Sequence, residues 1–141
     1  MNRLACLTLV LLLCACASPP PDYNVNRTRA YSASYDQVWE QLIGFFAARN
    51  IQVKNIAKDS GVVFAENARF DDSVADCGSP GMARVVGRRV SFNVFVNRSG
   101  SQPRVSVNTE FTETRRFMDN VTTVQCSSRG VLELSVLNSI S

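Results

Sequence analysis

The sequence contains no histidine, the side chain that most often serves as a general base or a metal ligand. Catalytic triads and imidazole metal sites are therefore excluded. One polar loop brings together Asp71, Asp72 and Asp76, but their spacing does not match an EF-hand calcium loop. Glu110 and Glu113 are an odd number of residues apart, so a strand places them on opposite faces and prevents paired acid–base chemistry. We expect no enzyme activity, no cofactor and no metal site.

The N-terminal segment has the three parts of an export signal. Arg3 supplies a positive charge, residues 4–13 are almost purely apolar, and small residues follow around Cys16. The apolar run is roughly half as long as a membrane-spanning helix requires. We predict that residues 1–15 are a cleaved signal peptide. An ordinary secretory signal with incidental cysteines is the alternative.

The end of this signal resembles the lipobox of bacterial lipoproteins, with a Leu three positions before a cysteine and a small residue just before it: Leu13-Cys14-Ala15-Cys16. Cys14 is the competing site, but a bulky Leu precedes it. The resemblance implies a diacylglyceryl thioether on Cys16, often with an N-acyl group such as palmitate, and such chains anchor a protein stably. Ala17 stands where Asp would imply inner-membrane retention. The expected location is the periplasmic face of a Gram-negative outer membrane.

Cys77 and Cys126 are the two cysteines that remain once the signal is removed and Cys16 is lipidated. An even number of cysteines in an oxidising compartment predicts a disulfide. It would close a loop of about 50 residues and contribute roughly 4 kcal/mol in the chain-entropy model. Two buried thiols and a metal pair are the alternatives, although two cysteines without histidine make a poor zinc site.

The remaining chain has the size of one domain. Residues 16–26 include three prolines and no apolar periodicity, which predicts an extended tether that holds the domain a little off the membrane. Residues 27–141 form the predicted domain. The chain carries a net charge of only +3 and its basic residues are scattered, so we expect no nucleic-acid partner.

A capped amphipathic helix is the clearest element of the domain. Ser34 followed by Gln37 three residues later is a capping box, and Asn50 supplies a stop signal. Between them, apolar side chains recur at helical spacing and predict a core-facing stripe: Tyr35, Val38, Trp39, Leu42, Ile43, Phe45 and Phe46.

Strand patterns dominate the rest of the domain. A first strand is predicted in residues 27–32, and residues 51–57 and 62–70 form a hairpin with Gly61 at its turn. After a loop over residues 71–82, two long strands near 90–97 and 105–112 alternate strictly between apolar and polar residues, which indicates an antiparallel sheet covered on one side. A final helix is predicted from Ser127 or Ser128 to Ile140.

These elements predict an α+β fold in two layers with the order β-α-β-β-β-β-α and one disulfide. Both helices should cover the same face of the sheet. Phe95 stands among polar residues on the other face and is the candidate interaction surface.

The chain resembles small outer-membrane lipoproteins with a helix-grip domain, such as that of the BamC (NlpB/DapX) lipoprotein of the β-barrel assembly machinery. The resemblance is carried by residues 34–39 (Ser-Tyr-Asp-Gln-Val-Trp) and 58–63 (Lys-Asp-Ser-Gly-Val-Val) and covers about residues 30–70. The cysteine pair and the final helix are similar to an uncharacterised family of proteobacterial lipoproteins. Because the sequence contains no catalytic constellation, we expect a non-catalytic scaffold or accessory subunit of an envelope assembly or secretion complex.

Two other functions stay open. A carrier of an apolar ligand would need a cavity of at least a few hundred cubic ångströms between sheet and helix. An inhibitor of an envelope or host enzyme, or an enzyme using the loop acids, is the other alternative.

Overall fold

The structure, a computed structural model, describes residues 17–67, 69–98 and 100–141. Both the predicted signal peptide and Cys16 lie outside the described residues. Within them, two helices and seven strands follow in this order: β1 (Thr28–Ala30), α1 (Tyr35–Ala48), β2 (Gln52–Ala57), β3 (Val62–Asn67), β4 (Ala75–Asp76), β5 (Arg84–Asn97), β6 (Arg104–Phe117), β7 (Asn120–Ser128) and α2 (Val131–Asn138).

Helix α1 begins and ends as its sequence predicts. The Ser34 hydroxyl accepts from the backbone N–H of Gln37, whose side chain accepts from the backbone N–H of Ser34. At the other end Asn50 has a φ of 52°, the left-handed conformation of a helix stop. The buried face of the helix consists of Val38, Trp39, Leu42, Phe45 and Phe46.

The strands form one antiparallel sheet in the order β2-β3-β5-β6-β7-β4, and β1 also pairs with β6. Strands β1 and β7 share one edge of β6: β1 pairs near Val105 and β7 pairs from Phe111 to Phe117. A mixed α+β fold built on an antiparallel sheet is therefore confirmed.

Strands β5 and β6 lie at the centre of the sheet, and each is 14 residues long. Their inner face carries buried apolar side chains, and both helices lie on that face: the Phe46 ring of α1 meets Phe92 edge-on at 5.6 Å, and Glu133 of α2 contacts Thr109 of β6. No helix among the described residues covers the outer face. The one-sided covering predicted from the alternation is confirmed.

Strands β4 and β7 correct the predicted order of elements, and β4 lies within the segment predicted as a loop over residues 71–82. The sequence interpretation began the final helix at residues 127–128, but β7 continues to Ser128 and α2 begins only at Val131. Gly130 separates them with a φ of 81°, a backbone conformation that residues with a side chain rarely adopt. The predicted final helix is therefore present, but it ends at Asn138 rather than at Ile140. The Thr-rich strand before it has only weak alternation and was not predicted.

Neither described helix combines the length and the apolar character that crossing a membrane requires.

Candidate functional site

The disulfide is the predicted site feature that the structure confirms. Cys77 and Cys126 are bonded, and they are 49 positions apart in the sequence. Cys126 lies in β7, however, and not just before the final helix. The bond therefore attaches the sheet edge, rather than α2, to the loop that precedes β5.

A buried ionic cluster lies beside this disulfide on the inner face of the sheet. Glu113 of β6 is 1% exposed, and its two carboxylate oxygens bind Arg88 at 2.8 Å and Arg115 at 2.7 Å. Arg88 also pairs with Asp72 at 2.7 Å. Charges at such depth are stable only when each is paired and its hydrogen bonds are satisfied.

Arg115 holds the loop over residues 77–79 against the sheet. Its guanidinium donates to the carbonyl oxygens of Cys77 at 2.5 Å, Gly78 at 3.3 Å and Ser79 at 3.1 Å. A loop cannot satisfy its own carbonyls as a helix does, so a buried loop requires donors from elsewhere. Arg115 supplies them, and Glu113 compensates the charge of Arg115.

A second polar network ties the tether to the same region. The Tyr23 hydroxyl donates to Asp76 at 2.9 Å, and Arg129 donates to Tyr23 at 2.7 Å and to Asp76 at 2.9 Å. The backbone N–H of Gly78 donates to Asp76, and this bond, together with those from Tyr23 and Arg129, holds the pKa of the Asp76 carboxyl below its usual value.

The tether segment preceding Tyr23 lies directly on this loop. Gly78 has a φ of 69°, and a Cβ atom there would overlap the backbone oxygen of Ser18. The Val25 side chain lies against Gly130, where a Cβ atom would come within 3.2 Å of it. Residues 17–26 have no regular secondary structure, and they pack on the domain at several points.

The three loop acids do not converge on one site. Asp71 accepts from the backbone and hydroxyl of Ser73, while Asp72 binds Arg88 and Asp76 binds Arg129. A cavity of about 280 Å³ lies between the last two acids and borders Cys77 and Glu113. Each guanidinium at this cavity is engaged by a carboxylate or a carbonyl oxygen. In the described part of the chain, no three side chains are placed to hold a metal ion.

Phe95 lies on the uncovered outer face and is 44% exposed. Its strand neighbours are Val62 of β3 and Ser106 of β6. An open depression of about 400 Å³ adjoins it, lined by Asp59, Ser60, Phe95, Val96, Asn97 and Arg98. Aromatic side chains are enriched in protein–protein interfaces relative to the rest of the protein surface. As predicted, Glu110 is exposed on this outer face and Glu113 is buried on the inner one.

The sequence reasoning missed the ionic cluster, although a signal for it exists. Every second residue of β5, counted backwards from Phe92 through Val90, leads to Arg88. Every second residue of β6, counted forwards from Phe111, leads to Glu113 and Arg115. Oppositely charged residues at core positions of two paired strands indicate a buried ion pair. The apolar alternation stops at the same place, which made the strands look shorter than they are.

No protein-family model matches the chain, and no curated protein matches it in sequence.

Proposed function

We propose that this protein is a lipoprotein, anchored through Cys16 at the periplasmic face of a Gram-negative outer membrane. It acts there as a non-catalytic scaffold or accessory subunit of an envelope complex. The uncovered sheet face around Phe95 receives the protein partner. As part of this proposal, the domain is a helix-grip domain similar to that of BamC.

The observation that carries the proposal is the exposed Phe95 ring on a sheet face that no described helix covers. A half-exposed aromatic ring with a depression beside it offers a partner an anchor point of the kind that dominates binding energy. From its partner Ser106, β6 runs eleven residues to Phe117 near the tether, roughly 35 Å at the rise of a β-strand. A partner bound at Phe95 would therefore lie well away from the membrane-anchored end of the domain.

The carrier alternative has less support in the core. The space between α1 and the sheet is filled by side chains such as Phe46, Phe92 and Leu42, each almost fully buried. The rings of Phe46 and Phe92 are in edge-to-face contact. A ligand of a few hundred cubic ångströms would have to displace them.

Site-specific photo-crosslinking in the native envelope tests the docking surface. A photoreactive amino acid replaces Phe95 in one variant and Leu134, a 40% exposed residue of α2, in a matched control. We expect a discrete protein adduct from position 95 and none from position 134. Equal adducts at both positions, or none at position 95, would refute docking at this face.

Intact mass and fractionation test the anchor. The mature chain should begin at Cys16 with the mass of a diacylglyceryl group, and Cys16→Ala should abolish the processing. The lipidated protein should fractionate with the outer membrane, and Ala17→Asp should move it to the inner membrane. A mature chain without lipid would overturn the proposal.

A further inference from the structure

One end of the molecule exposes apolar side chains that the sequence analysis did not single out. Eleven large apolar side chains are exposed among the described residues, and six of them lie where β5 begins, β6 ends and β7 begins: Met82, Val85, Val86, Phe117, Met118 and Val121. We call these six residues the anchor-end patch. Met82 and Met118 are 82% and 79% exposed. Isolated exposed apolar residues are ordinary, but a cluster indicates a contact surface.

The strand register brings these residues together. Phe117 pairs with Asn120 across the β6–β7 turn, and Val121 pairs with Arg116. Arg116 in turn pairs with Arg84 on the other side of β6. The patch therefore occupies the last rungs of three adjacent strands, with the turn at Met118 at its tip.

Ala17 lies next to two residues of the anchor-end patch, Met82 and Phe117. A shallow apolar groove of about 200 Å³ is lined by Ala17, Pro80, Gly81, Met82, Ala83 and Phe117. The contacts of Ser18 with Gly78 and of Tyr23 with Asp76 fix the tether on both sides of its prolines. Ala17 is the first residue that the structure describes, and Cys16, the lipid-bearing residue of the proposed function, precedes it in the sequence.

The charge around the patch suits a phospholipid surface. Arg84 and Arg116 are exposed directly opposite each other, and neither has an ion-pair partner among the residues that the structure describes. Like charges across a strand pair are unfavourable unless an anion lies between them, and guanidinium groups bind phosphate in two-pronged geometry. Asp119 in the turn is the one acid within the same rungs.

We propose that the anchor-end patch rests in the headgroup and upper acyl region of the bilayer, with Arg84 and Arg116 on lipid phosphates. The inference deepens the proposed function and rests on its lipid anchor at Cys16. A lipidated Cys16 places its acyl chains beside Met82 and Phe117, so the domain lies directly on the membrane instead of being held off it. The lipid anchor and the patch then bind together, each raising the effective concentration of the other.

Fluorescence quenching in vesicles tests this contact. The lipidated full chain is labelled with an environment-sensitive fluorophore at Met118→Cys, at Met82→Cys, or at Ser101→Cys in the opposite loop as the matched control. Each protein is reconstituted into phosphatidylethanolamine–phosphatidylglycerol vesicles that contain a lipid-borne quencher. We expect a blue shift and at least twofold quenching at positions 118 and 82, and an aqueous spectrum at position 101.

The outcomes separate the inference from its premise. Protein that floats with the vesicles while probes at 118 and 82 stay aqueous would overturn the membrane contact and leave the anchor intact. Probes at 118 and 82 that become shielded only when envelope proteins are added would assign the patch to a protein and also overturn it. Protein that lacks lipid by intact mass and does not float would overturn both.

Discussion

The two halves of the β5–β6 hairpin are covered on the same inner face, but by different kinds of element. In the half with Phe92 and Val107, helices α1 and α2 lie on the strands and the contacts are mainly apolar. In the half with Arg88 and Glu113, a loop lies on the strands, and ion pairs, carbonyl hydrogen bonds and a disulfide replace the apolar contacts. The strands themselves are continuous through both halves.

The difference shows what a covering element demands of the sheet beneath it. A helix satisfies its backbone groups internally, so its side chains, most of them apolar, are what meets the strands. A loop brings unpaired carbonyls, and these need a donor as strong as Arg115. The charge of Arg115 then requires Glu113. The polar cluster is thus a consequence of covering part of the sheet with a loop.

Removing Glu113 has the largest expected effect on stability. Glu113→Ala should lower the free energy of unfolding by about 4–5 kcal/mol, because Arg88 and Arg115 would lose their shared buried carboxylate. Urea unfolding followed by circular dichroism measures the loss. Glu110→Ala, on the exposed face of the same strand, is the matched control and should change stability by less than about 0.5 kcal/mol. Similar losses in both variants would show that the cluster does not hold this half together.

Removing the disulfide should cost slightly less. Replacing Cys77 and Cys126 together by Ser opens a link between positions 49 residues apart and should lower the free energy of unfolding by about 4 kcal/mol. Because the cross-link restricts the unfolded chain, its loss should also steepen the urea dependence, whereas Phe92→Ala in the other half should leave that slope unchanged. An unchanged slope in the cysteine variant would locate the effect in the folded state.

A smaller change should strengthen the helix-covered half. Glu133 of α2 is fully buried; one carboxyl oxygen accepts from Thr109, and Oε2 has no hydrogen-bond partner within the described part of the chain. Replacing both partners by apolar side chains, as Glu133→Met with Thr109→Val, removes this unpaired group and should raise the free energy of unfolding by about 1 kcal/mol. The exposed neighbour variant Leu134→Met should be neutral. Destabilisation by the double variant would mean that the carboxyl has a partner in solution.

The smallest expected effect is a pH dependence at the edge of the loop-covered half. The N–H of Gly78 and the hydroxyl of Tyr23 hold the pKa of Asp76 below its ordinary 3.8. The carboxylate therefore stabilises the fold fully above pH 3.8, and this contribution is lost as the pH falls through the lowered pKa. The difference in urea midpoint between the natural chain and Asp76→Asn should be constant above about pH 5 and shrink below about pH 4. Tyr23→Phe should reduce its size, and a difference that grows in acid would contradict the assignment.

The sequence predicted the helix-covered half well and the loop-covered half poorly, for one physical reason. Helix α1 and the alternation from Val90 onwards are local patterns in which burial and apolar character coincide, and the hairpin at Gly61 follows from its turn residues. Beyond Phe111 the buried positions are charged, and their burial depends on a loop that is distant in sequence. Patterns of hydrophobicity do not show such positions.

The candidate surfaces also differ in whether the sequence could reveal them. Phe95 could be found because it interrupts a polar face of a regular strand. The cysteine pairing followed from counting and from the predicted compartment. The anchor-end patch could not be found, because Met82 and Met118 stand in a loop and a turn, and only the folded chain brings Met82 next to Phe117 and Ala17.

The disulfide also determines how a mechanical force would pass through the molecule. A pull on Ala17 acts on the segment that contacts Gly78, and the adjacent Cys77 is covalently joined to β7. Tension between the tether and the far end of β6 would load the β6–β7 ladder along the strand direction, where many hydrogen bonds must break together. A fold attached this way should resist being unfolded by force applied at the end that carries Ala17.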